Sequence, residues 1–181
     1  HKTKKINILL PARMLYEKGI YEFVEAAKII KKKNLKASFI MVGDNISLNP
    51  SCIKKEEINS WIEEGFIDYL DYQKDIKSIY DQTTIVCLPS WREGFPKVLM
   101  EAASCGIPTI TTDVPGCRDA IIDKKTGFLV PLKNPKAIAA RIEQLIKNKN
   151  LQKRMGKAGR FLAISKFDYN VIVPQIVNLY E

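Results

Sequence analysis

Thr84-Ile85-Val86-Cys87-Leu88-Pro89-Ser90-Trp91-Arg92-Glu93-Gly94-Phe95-Pro96-Lys97-Val98-Leu99-Met100-Glu101-Ala102-Ala103-Ser104-Cys105-Gly106 is the stretch that decides the fold. It opens on an apolar run ended by Pro89, as expected of a strand covered on both faces. A polar loop follows. From Lys97 to Cys105, residues Val98, Leu99, Ala102 and Ala103 fall on one side of a helix that Gly106 closes. A buried strand feeding a helix through a short loop is a building unit of a parallel α/β sheet.

The same alternation runs outward in both directions. Ile6–Pro11, Ala37–Val42, Ile67–Tyr69, Pro108–Thr111 and Phe128–Val130 read as strands. Gly19–Lys33, with Phe23, Ala26, Ala27 and Ile30 at helical spacing, reads as a helix, as do Glu56–Glu64 and Asp75–Gln82. Asn134–Asn148, Leu151–Ser165 and Asp168–Tyr180 are expected to close the chain as three helices. The fold class is therefore α/β: a Rossmann-like, doubly wound parallel sheet. Residues 1–165 are expected to form one domain and 166–181 a C-terminal helix. Such a sheet takes ligands beyond the carboxyl ends of its strands. The loops of interest follow Pro11, Gly43, Pro89 and Thr111.

Size and composition bound the function. A chain of 181 residues fits one domain, or one large domain with an appendage. At 46% hydrophobic and 27% charged it has the balance of a soluble globular protein. No apolar run approaches the roughly 20 residues of a membrane span, and no leader segment is visible, so a cytoplasmic location is expected. His1 is the one histidine and stands where an initiator Met would, which reads as a cut end. Cys52, Cys87, Cys105 and Cys117 form no Cys-x-x-Cys pair, which argues for reduced thiols and against zinc. The net charge of +9 admits nucleic acid, an anionic membrane surface or a phosphate-rich substrate. The lysines are dispersed without interleaved aromatics, unlike a single-strand-binding surface. No nucleic-acid partner is expected, whereas a peripheral contact with the inner membrane surface stays open.

Two loops carry the chemistry. In Pro11–Gly19, Arg13 and Lys18 flank a strand-to-helix turn. They are either solvated surface cations or a pair converging on a diphosphate, with Arg as a planar fork and Lys as a movable point charge. In the loop after Leu88, Gly94 permits close backbone approach, and Pro96 suits a helix start. The free N–H groups of that first turn, with the helix dipole, make an anion site. Glu93 and Glu101 are either solvated or aimed at ribose and sugar hydroxyls, which a carboxylate accepts well. Asp113 or Arg118 contacts a ligand or, more simply, shapes the turn at Pro115-Gly116 ahead of a short helix. No G-x-G-x-x-G follows the first strand and no G-x-x-x-x-G-K-[ST] occurs, against a nicotinamide, flavin or P-loop site. No Asp-x-Asp pair points to a metal-held diphosphate.

Glu93 and Glu101 have seven residues between them. This segment resembles the E-x7-E motif of the retaining GT-B glycosyltransferases of family 4, also called glycosyl transferases group 1. Arg13 and Lys18, Val42-Gly43-Asp44, Leu88-Pro89-Ser90, Thr112-Asp113-Val114-Pro115-Gly116 and Gly127-Phe128-Leu129-Val130-Pro131 are similar to that family's segments in order and spacing. Ala12 and Asn45 depart, standing where many members have Gly. The resemblance implies the C-terminal, donor-binding half of a GT-B enzyme. It assigns the donor diphosphate to Arg13 and Lys18, with backbone N–H groups near Lys97 and Val98. It assigns the ribose to Glu101, the donor sugar to Glu93, Gly94, Phe95 and Pro96, and the reacting region to Glu93, the expected catalytic residue. It implies no cofactor and no metal. The segments at Asn49-Pro50-Ser51 and Arg92–Val98 resemble the bacterial subgroup that builds capsular and other surface polysaccharides. The implied reaction moves a hexose or N-acetylhexosamine from a UDP-sugar to a lipid-linked or saccharide acceptor. The acceptor would be held by an N-terminal domain this chain lacks, toward which residues 166–181 would pack, leaving Val171, Ile172, Val173, Ile176 and Val177 partly exposed here. The isolated chain is then expected to be inactive. The alternatives are a GT-B sugar-nucleotide epimerase domain and a non-enzymatic nucleotide- or nucleic-acid-binding module.

Overall fold

The computed structural model describes residues 5–45 and 49–179. His1 and Tyr180, where the sequence ends the last helix, lie outside them. The strands are β1 (Asn7–Pro11), β2 (Ser38–Val42), β3 (Asp68–Leu70), β4 (Ile85–Leu88), β5 (Thr109–Thr112) and β6 (Gly127–Val130). The helices are α1 (Ile20–Lys32), α2 (Lys55–Glu63), α3 (Ile76–Tyr80), α4 (Lys97–Ser104), α5 (Pro115–Ala120), α6 (Pro135–Lys147), α7 (Lys149–Leu162) and α8 (Tyr169–Val177).

The strands form one parallel sheet in the order β3-β2-β1-β4-β5-β6. That is the doubly wound Rossmann order, and it reverses between β1 and β4. Alternation along the strands explains the two layers. Ile8 and Leu10 face one side, packing with Phe23 and Ile30 of α1 and Ile138 and Ile142 of α6. Leu9, Val86 and Leu88 face the other, with Leu99 and Ala102 of α4 and Cys117 and Ala120 of α5. All four residues of β4 are buried, as its unbroken apolar run predicts.

Local chemistry moves several boundaries. The Asp75 carboxylate accepts from the Ser78 N–H at 3.3 Å, so α3 starts at Ile76. Asn148 accepts from the Leu151 N–H at 2.9 Å and starts α7 two residues earlier than the pattern suggests. Pro115 does not precede the fifth helix but begins it, at a position where its missing N–H costs nothing. Tyr16–Lys18 form a 3-10 turn that periodicity does not reveal. After Leu162 the helix widens into a π turn over Ala163–Phe167, and Asp168 then caps α8. Helix α8 has no buried residue. None of the four cysteines is bonded to another. Among the described residues no helix is long and apolar enough to cross a membrane.

Glu143 on α6 ties two helices together. It accepts from Lys147 one turn on at 2.6 Å and from Lys33, beyond the end of α1, at 2.5 Å. These lysines draw its carboxyl down to about 2. The folded value is below the unfolded one, so the stabilisation is present above the ordinary carboxylate range and fades as pH falls toward 2. Glu143→Gln is therefore expected to lower Tm slightly at pH 7 and not at all near pH 2, in melting curves read across that window. A difference that grows on acidification would contradict the pairing.

Candidate functional site

The switch point between β1 and β4 sets the geometry. Beyond β1 the chain makes its 3-10 turn and enters α1 at Gly19. Gly19 has φ +74°, and a Cβ there would stand 2.1 Å from the Pro89 carbonyl oxygen. Glycine is required both for the left-handed backbone and for the contact. The turn is thereby pressed onto the end of β4. The Ser90 hydroxyl and the Trp91 N–H both donate to the Glu17 carbonyl, at 2.9 and 2.8 Å. The result is that Lys18 Nζ lies 2.7 Å from Glu93 Oε1, with side-chain exposures of 19% and 12%. A pair this enclosed is screened far less than a surface pair.

A third loop closes on the first two. The Thr112 hydroxyl donates to the Ser90 carbonyl, and the Thr111 hydroxyl to the Leu88 carbonyl at 2.7 Å. A Cβ on Gly116 would stand 2.0 Å from the Gly94 carbonyl oxygen and 2.5 Å from that of Glu93. The Cβ position of Gly94 itself is open, and the glycine that lets the two backbones meet is Gly116, one strand away. The spacing of the E-x7-E segment cannot reveal it, but Pro115-Gly116 following a strand was its signal.

Helix α4 begins after buried Pro96, which has no side chain to cap it. The Leu99 N–H donates to the Pro96 carbonyl, so the N–H groups of Lys97 and Val98 are the orphan donors of the first turn. Glu101 lies one turn in, and its Oε2 accepts from the Tyr80 hydroxyl at 2.9 Å. Lys97 and Glu101 line a cavity of about 470 Å³ with Arg160 and Phe167. Phe95 is half-exposed, its ring edge-on to Phe167 at 5.4 Å between centroids. Arg13 is exposed on the same carboxyl edge, in a loop whose Ala12 and Met14 N–H groups donate to Val42 and Asp44. Asp113 and Arg118 pair with each other at 2.7 Å and are exposed, which fits the turn role.

The structure thus joins Lys18 to Glu93 directly and sets Arg13, Gly94, Phe95, Pro96, Lys97 and Val98 along one edge. It gives Glu101 a separate partner, Tyr80. Sequence reasoning missed Tyr80, since α3 is too short for a clear period. It also missed Trp91, whose indole N–H donates to buried Glu22 at 2.9 Å and whose ring carries the Lys133 ammonium at 3.9 Å. Among the described residues no three His, Cys, Asp or Glu side chains gather as a metal ligand set.

Residues 1–161 match the family model described as Glycosyl transferases group 1. The chain belongs to the group 1 glycosyltransferases. It is 34% identical, over 98% of its length and 45% of the relative's, to the N,N'-diacetylbacillosaminyl-diphospho-undecaprenol alpha-1,3-N-acetylgalactosaminyltransferase of Campylobacter jejuni. It therefore spans about half of that relative. Among solved structures, Anabaena Alr3699/HepE in complex with UDP superposes with a TM-score of 0.87 at 21% identity, over 98% of this chain and 49% of that one. The C-terminal domain of a glycosyl transferase group 1 family protein (LpcC) from Francisella tularensis superposes with a TM-score of 0.80 at 26% identity, over 91% of this chain and 87% of that domain. Within this family the chain thus has the parallel α/β fold of a GT-B C-terminal domain.

Proposed function

We propose that this chain is the donor-binding half of a retaining glycosyltransferase that takes a UDP-hexose or UDP-N-acetylhexosamine and serves bacterial surface-glycan synthesis. The observation that carries the reading is the enclosed Lys18–Glu93 pair at the switch point, beside the uncapped N-terminus of α4. Lys18 has three donors, so it can hold Glu93 and still reach a diphosphate oxygen. Arg13 adds a planar fork from the same edge, and the Lys97 and Val98 N–H groups add the helix field. Cations and N–H dipoles then neutralise the leaving diphosphate without a metal ion, and departure of that diphosphate from the donor sugar is the step they would favour. Glu93, paired but close to the open loop at Gly94, Phe95 and Pro96, is positioned for donor-sugar hydroxyls and the reacting region. Glu101 takes the ribose diol.

The Campylobacter relative's name supports an N-acetylhexosamine donor and a polyprenyl-diphosphate-linked acceptor, and the UDP complex of the Anabaena protein supports the nucleotide. The acceptor would be held by another domain. The exposed apolar residues Ile176, Val177 and Leu179 of the C-terminal segment fit packing against such a domain. The enzyme would work on the cytoplasmic face of the inner membrane.

Calorimetry with UDP, GDP and RNA at two salt concentrations tests this. Saturable UDP binding that is lost in Arg13→Ala and weakened in Glu101→Gln is expected. Steeply salt-dependent RNA binding without nucleotide binding would replace the proposal with a nucleic-acid module. Sugar transfer by the isolated 181 residues would overturn the half-enzyme reading, and epimerisation of a UDP-sugar by the intact enzyme would overturn the transferase one.

A further inference from the structure

We infer that Tyr80 is the positioning residue that aims Glu101 at the nucleotide ribose and so sets how well the site distinguishes a ribose diol from a deoxyribose. The inference rests on the donor reading above. Tyr80 ends α3 and is 3% exposed. Its ring is fixed among Leu9, Val86, Leu88, Leu99 and Ala102, the apolar layer beneath the switch point. Its hydroxyl donates to Glu101 Oε2 at 2.9 Å, with the Val98 carbonyl a more distant acceptor at 3.5 Å. Burial and the neighbouring carboxylate push the Tyr80 phenol up, so it stays a proton donor at every working pH.

The bond has a geometric consequence. A glutamate side chain on a half-exposed helix turn samples several rotamers, and fixing them costs entropy on binding. A hydroxyl held rigidly by the core removes that freedom beforehand. With Oε2 engaged by Tyr80, Oε1 and the remaining lone pair of Oε2 are left to accept two ribose hydroxyls. Without the phenol, the carboxylate must be ordered by the ligand itself.

The test is binding of UDP and of 2′,3′-dideoxyuridine diphosphate to the wild-type chain, Tyr80→Phe and Glu101→Gln, with melting curves alongside. Phe keeps the ring and its packing. Tyr80→Phe is expected to weaken UDP about tenfold, within the range of a hydrogen bond to a charged group, and to leave the dideoxy ligand within about twofold, an error-sized change. The discrimination ratio then falls about tenfold, toward that of Glu101→Gln. A merely structural role predicts a lower melting temperature and equal weakening of both ligands. An unchanged UDP-to-dideoxy ratio in Tyr80→Phe, with Glu101→Gln still reducing it, overturns this inference and leaves the donor reading standing. No UDP binding, or a ratio indifferent to Glu101→Gln, overturns both.

Discussion

Gly19→Ala is expected to lower stability by about 3 kcal/mol, at the upper end of ordinary point substitutions. Two causes add. Alanine in the left-handed region costs about 1 kcal/mol. The new Cβ would also begin 2.1 Å from the Pro89 carbonyl oxygen and 2.7 Å from its carbon. Backbone on both sides is hydrogen-bonded, through Glu17 to Ser90 and Trp91, so neither can yield without breaking those bonds. For a chain of this size the cost corresponds to a fall in Tm of roughly 6–12 °C. The strain relieves itself most cheaply by lifting the Tyr16–Lys18 turn off the end of β4. The variant should therefore also lose UDP affinity out of proportion to its residual fold. Thermal melts and UDP titration on the same preparation check both. A variant that melts within 2 °C of the parent, a shift of about 1 kcal/mol or less, would mean the two loops are not locked.

Lys18→Met is expected to weaken UDP binding by about 30–100-fold, the loss of one charge-assisted contact in an enclosed site. The thioether chain replaces the lysine stem with little change in volume, so packing is largely kept. Glu93, only 12% exposed, then loses its 2.7 Å partner and leaves a carboxylate facing the place where a diphosphate would sit. That repulsion should vanish when the carboxylate is also removed. Lys18→Met with Glu93→Gln should thus bind UDP better than Lys18→Met alone, a coupling of about 1–2 kcal/mol between touching charges. Additive losses across the cycle would show that the two residues act separately.

The fold was legible because its signals are local. The unbroken apolar run of β4 and the helical spacing of α1, α4 and α6 need no knowledge of the rest of the chain. Short elements blurred: α3 has five residues and its start depends on one Asp75 hydrogen bond. The spacing of Glu93 and Glu101 could be read in the sequence, but the contacts each makes in space could not. The backbone contact between the loops after β4 and β5 rests on Gly116, and the partner of Glu101 is a tyrosine 21 residues away. The two carboxylates, which spacing alone sets in one crevice, have different anchors: a lysine from the loop after β1 for Glu93 and the core-held phenol for Glu101.

The central claim is that the carboxyl edge at the β1–β4 switch point holds the donor nucleotide. Amide-resolved NMR titration of the chain with UDP tests it most directly. Saturating shifts should concentrate at residues 12–19 and 92–101, with Gly116 following. Saturating shifts confined to the opposite edge, around the cavity of about 430 Å³ lined by Lys5, Lys149 and Lys153, or no saturable shifts at all, would contradict it.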